Sequence, residues 1–94
     1  MRYKYVFINS FSKSYNKLLK KDKKLETDFD VALDILLHGI DLPPKYKDHK
    51  LKGNMKGYYD FHLRYDVVVI RYYKNKEGLI IFTDIGSHKE IFGN

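Results

Sequence analysis

Three of the chain's four histidines, His49, His62 and His88, fall in its C-terminal half, each in or beside a strand end or a loop, where sites collect. Two carboxylates travel with them: Asp60, two residues before His62, and Asp66, four residues after it. An imidazole suits either proton-transfer role near neutral pH. A carboxylate such as Asp66 can act as a base, or orient a histidine and favour its charged form. If these groups meet over RNA, they offer the parts of a phosphodiester cleavage. One group takes the 2′-hydroxyl proton, another protonates the departing 5′-oxygen, and cations balance charge on phosphorus. Lys47, Lys50, Lys52, Lys56 and Arg64 are the cations at hand, and Phe92 is an aromatic able to stack on a base. His49, His62, Asp66 and His88 are also metal-ligand types, but their spacing matches no compact motif such as His-Glu-x-x-His. No metal and no other cofactor is expected.

The elements that must position these groups follow from periodicity. Tyr3 to Ile8 is β-branched and aromatic and reads as a strand. From Phe11 to about Lys21, Phe11, Tyr15, Leu18 and Leu19 form one helical face, with Ser10 or Ser12 as a cap. A second helix is predicted from about Thr27 to His38, with Phe29, Ala32, Leu33, Leu36 and Leu37 as its stripe and Gly39 as a left-handed stop. His38, in the last turn, reads as structural. Residues 45–56 are basic and irregular. Strands are predicted at Tyr58–Leu63, Val67–Tyr73 and Leu79–Asp84, with a hairpin turn at Asn75–Gly78 and a short terminal strand at Ile91-Phe92. The order β-α-α-β-β-β makes an α+β sandwich of two layers: two helices on one face of an antiparallel sheet, the other face free for a site. Along Tyr58–Tyr65 the alternation puts Tyr59, Phe61, Leu63 and Tyr65 on the apolar face. Tyr58, Asp60, His62 and Arg64 share the other, which should meet solvent or a cleft.

Composition bounds the rest. Ninety-four residues suit one domain spanning 1–94. The absence of cysteine removes disulfides, thiolate nucleophiles and cysteine-ligated zinc, and suits a reducing cytoplasm. No apolar run approaches the roughly 18 residues of a spanning helix, so no membrane partner is expected. The net charge is +6 and unevenly spread: residues 1–24 carry eight Lys/Arg and one acid, residues 25–42 five acids and no base. The basic stretches read as a polyanion footprint or as a solvated lysine-rich surface. Physics alone stops at a basic α+β domain facing nucleic acid.

Residues 42–66, LPPKYKDHKLKGNMKGYYDFHLRYD, sharpen this. They resemble the centre of YafQ-type toxins of the RelE superfamily, with a Tyr-Lys-Asp-His-x-Leu segment, a Gly-Tyr/Phe-x-Asp/Glu-x-His strand and a following Asp. The tail IGSHKEIFGN resembles that family's Gly-Ser/Thr-His-x-x-Leu/Ile-Phe ending. The resemblance implies a RelE-like fold and a ribosome-dependent, metal-independent mRNA interferase, neutralised by a cognate antitoxin in a toxin–antitoxin hetero-oligomer. It implies catalytic roles for His49, Asp60, His62, Asp66 and His88, the last as general acid, and matches Phe92 to the terminal aromatic. One position departs: the family usually places arginine four residues before the final histidine, and here stands Asp84. A carboxylate there repels phosphate. Arg64 is the expected substitute, and Arg71 should point to the opposite sheet face. Asp84 could instead orient His88. The alternatives are a catalytically weak or inactive relative that binds antitoxin or RNA, and a general nucleic-acid-binding module.

Overall fold

The computed structural model describes residues 2–93; Met1 and Asn94, the ends of the expected domain, lie outside the described residues. Strand β1 (Lys4–Phe7) leads into helices α1 (Asn9–Lys21) and α2 (Lys24–Leu37). A two-residue strand β2 (His49–Lys50) follows, then β3 (Tyr58–Arg64), β4 (Val67–Lys74), β5 (Leu79–Gly86) and a short helix α3 (His88–Phe92). The sheet runs β1-β5-β4-β3-β2. The expected two-layer α+β arrangement is present, with one difference: β1 pairs parallel to β5, so the sheet is mixed.

The helix stripes are buried as the spacing requires. Phe11 and Tyr15 of α1, and Phe29, Ala32, Leu33, Leu36 and Leu37 of α2, pack with Phe61, Val69, Ile80, Phe82 and Ile85 of the sheet. Phe7, Phe11, Phe29 and Phe82 form an aromatic cluster with ring centroids 4.6–5.8 Å apart, within the range where edge and tilted packing is favourable. The start of α1 carries no side-chain cap; Ser10 donates instead to the carbonyl of Thr83, tying α1 to β5. Helix α2 ends at Gly39, whose φ of +72° and approach of Arg2 Cδ (2.6 Å from a Cβ placed there) exclude a larger residue.

Three expectations are corrected. Ile91-Phe92 lies in α3, because Ser87 and Glu90 form a reciprocal capping box that starts a helix. Residues 49–50, within the stretch expected to be irregular, form β2. Tyr65, placed on the apolar face by strict alternation, is 97% exposed, because β3 ends at Arg64 and Tyr65 falls in the turn to β4. Asn75–Glu77 and the left-handed Gly78 make the expected turn between β4 and β5.

Candidate active site

Antiparallel pairing sets His49 opposite Asp60, and residues so paired share a sheet face. Lys47, just before β2, adopts φ +49°, a left-handed conformation uncommon outside glycine. Its carbonyl lies 2.9 Å from His49 Nδ1. Asp60 Oδ1 stands 3.0 Å from the same nitrogen. A ring hydrogen on Nδ1 satisfies the Lys47 carbonyl and leaves Nε2 to accept a proton.

Asp60 is 3% exposed. Its Oδ1 has no aligned hydrogen bond, so the contact with His49 is one of charge and proximity. Burial pushes the Asp60 carboxyl up, while His49, His62 and His88 pull it down. Of these three rings, His49 is the one in direct contact with the carboxylate. The expectation that Asp60 faces solvent is corrected in part: it lies off the helix face, yet buried.

His62 is two residues along β3 on the same face, its ring 4.8 Å from that of His88 in an edge-on arrangement. Burial lowers the His62 pKa, and the neighbouring His88 lowers it further, so the ring is neutral at pH 7. His88 opens α3, where the capping box leaves its N–H free. Asp66, in the β3–β4 turn, accepts that N–H at 3.1 Å and lies 3.3 Å from ring Nδ1. The backbone N–H of His88, then its ring, holds the Asp66 carboxyl below the usual carboxylate range, and Asp66 is ionised near neutrality. Phe92 is half-buried with its ring 6.1 Å from His88. Residues from β2, β3, the β3–β4 turn and α3 thus form two neighbouring contacts, His49 with Asp60, and His88 with His62 and Asp66.

A cleft of about 660 Å³ opens beside His62 and His88, lined also by Lys45, Lys47, Tyr46 and Asp66. Of the expected phosphate-binding lysines, Lys47 lies here. Lys52 and Lys56 line a separate hollow with Tyr3, Ile40 and Tyr59; the structure does not bring them to the histidines. Lys45 was not singled out from the sequence, because only its neighbours in space mark it.

Arg64 borders the cleft, but its guanidinium is taken. Nε donates to Asp28 at 2.7 Å and Nη1 to Asp22. The guanidinium thus meets Asp22, between the two helices, and Asp28 of α2, while the side chain lines the cleft. Asp84 faces the site side of the sheet, since the register aligns Asp60, Ile70 and Asp84 across three strands. It accepts the N–H of Ile85 at 3.0 Å, and burial pushes its carboxyl up. His88 is oriented by Asp66, not by Asp84. Arg71 lies on the opposite face, as expected, paired with Asp48 at 2.9 Å. Asp48 was not singled out either; its place before His49 in a strand register was the available signal.

Among the described residues no three His, Cys, Asp or Glu side chains are grouped to hold a metal ion, and no helix is long and apolar enough to cross a membrane.

Comparison with known proteins places the chain in a family. The family described as bacterial toxin of type II toxin–antitoxin system, YafQ, matches residues 3–93. The mRNA interferase toxin YafQ of Escherichia coli strain K12 is 34% identical over 87 residues, covering 88% of this chain and 92% of that protein. The E. coli DinJ–YafQ toxin–antitoxin complex contains a chain 30% identical, with a TM-score of 0.81, covering 99% of this chain and 100% of that one. A metal-bound toxin from Helicobacter pylori is 32% identical with a TM-score of 0.84, covering 98% of this chain and 100% of that one. With sequence, fold and nearly full-length coverage in agreement, this chain belongs to the YafQ family of bacterial type II toxins.

Proposed function

We propose that the chain, acting as one domain in the cytoplasm, is an mRNA interferase that cuts messenger RNA on the ribosome without a metal. The observation that carries this reading is the His88–Asp66 pair facing His62, with His49 and Asp60 paired beside it on the same sheet face. In the reaction, the 2′-oxygen of one nucleotide bonds to the adjacent phosphorus as the bond from phosphorus to the 5′-oxygen breaks. The products are a 2′,3′-cyclic phosphate and a free 5′-hydroxyl. His49, with hydrogen held on Nδ1, takes the 2′-hydroxyl proton through Nε2, Asp60 stabilising the ring as it gains charge. His88 delivers a proton to the departing 5′-oxygen, Asp66 balancing its charge and fixing its orientation. His62 stays neutral and donates a hydrogen bond to phosphate; Lys47 supplies positive charge. Phe92 stacks on a base beside His88.

A partner follows from family and charge. The protein is held in check by a cognate antitoxin, in a hetero-oligomer of the kind named for DinJ–YafQ.

The test is primer extension on translated mRNA with purified protein, in buffer with and without chelator. New 5′ ends that need ribosomes, survive chelation and vanish in His88→Ala support the reading; unchanged cutting by both His88→Ala and His49→Ala removes it. Asp84 on the site face favours a second reading, a weak or inactive toxin that binds without cutting. An absence of new 5′ ends together with retained RNA or antitoxin binding would select it.

A further inference from the structure

Strand β2 has only two residues and lies at a sheet edge, yet it holds His49 in a defined place beside Asp60. So short a ladder fixes little by itself. Successive strand residues point to opposite faces. With His49 on the site face, its predecessor Asp48 turns to the helix side, where it meets Arg71.

Arg71 Nη1 and Nη2 donate to the two carboxylate oxygens of Asp48, each at 2.9 Å, and Nε lies 3.1 Å from the Tyr73 hydroxyl. The guanidinium sits 5.0 Å from the ring centroid of Tyr59, 5.5 Å from Phe61 and 5.3 Å from Tyr73. Arg71 is 2% exposed. A parallel fork of two hydrogen bonds fixes direction as well as distance, and the three rings flank the guanidinium. Burying such a pair is costly and rarely more stable than apolar residues in its place. Nothing in the cleavage chemistry touches Arg71, which lies behind the sheet.

We propose that Arg71 and Asp48 are a positioning pair, clamping residue 48 from behind the sheet so that His49 is held with its ring against Asp60 in front. The role rests on the reading of His49 as part of the catalytic set.

Two variants test it. Asp48→Asn keeps the shape and removes the charged fork; Arg71→Met combined with Asp48→Leu removes both charges, a change that apolar packing tolerates. Ring nitrogen–proton spectra at fixed pH should show His49 displaced in both variants while His62 and His88 keep their resonances. Cleavage should fall about 10- to 100-fold, as for a misplaced reacting group. In a His49→Ala background neither change should lower cleavage further. An unmoved His49 ring in a folded variant, or losses that multiply with His49→Ala, would overturn the proposal. If His49→Ala cuts at full rate while Asp48→Asn still displaces the ring, the clamp stands and the catalytic role of His49 falls.

Discussion

Asp66 engages His88 at two points, accepting the backbone N–H at 3.1 Å and lying 3.3 Å from ring Nδ1. The side chain therefore fixes both where α3 starts and which ring nitrogen faces away from the turn. Asp66→Asn keeps the size and can still accept one hydrogen bond, but it loses the charge that balances a protonated ring. Cleavage should fall by roughly 10- to 100-fold, less than the roughly 10²- to 10⁴-fold loss for removing an acid–base group in His88→Ala. Single-turnover rates on a translated message compare them. Equal rates for Asp66→Asn and the parent would remove Asp66 from the mechanism.

The buried neighbourhood of His62 has a consequence for stability. Its folded-state pKa lies below histidine's ordinary 6.5, because burial and then His88 disfavour the charged ring. As pH falls below about 6.5, the unfolded chain takes up this proton first. This residue's contribution is fully present above that pH and is lost as pH drops through the folded value. Melting curves at pH 7.5 and 5.5 should show a larger loss for the parent than for His62→Gln. An identical drop in both proteins would contradict the assignment.

Arg64 links β3 to Asp22, between α1 and α2, and to Asp28 of α2. Arg64→Met should lower the melting temperature by a few degrees and leave cleavage within about twofold, the scale of a partly exposed ion-pair network. A large loss of cleavage in a protein that melts normally would return Arg64 to phosphate binding.

Asp84 places a carboxylate on the same sheet face as Asp60. Asp84→Arg replaces repulsion with attraction toward a phosphate and should raise RNA affinity and cleavage several-fold. Filter binding at two salt concentrations, with cleavage assayed in parallel, distinguishes better capture from better chemistry. No gain in either would show that phosphate does not approach this position.

Much of this architecture was written locally. The stripes of α1 and α2 are short-range patterns, and period-two alternation in β3 was enough to put Asp60 and His62 off the helix face. Gathering His49 and His88 there followed from loops and strand ends meeting at one side of the sheet. What stayed hidden depends on distant partners. The parallel pairing of β1 with β5 joins Lys4 to Leu79, and nothing in either segment names the other. Nor does the strand around Arg64 announce the two aspartates from distant α1–α2 sequence that its guanidinium engages at the edge of the cleft. The terminal helix does have a local signal, the capping pattern Ser87-x-x-Glu90, although Ile91 and Phe92 themselves favour strand.

The pairing of β1 with β5 also bears on how such a molecule is made. A growing chain completes β1 and both helices long before residues 79–86 exist, so the first strand waits without its neighbour. His88 is synthesised later still, beyond the strand that completes the sheet. A nascent polypeptide shorter than this therefore holds His49, Asp60, His62 and Asp66 without the histidine they are proposed to act with.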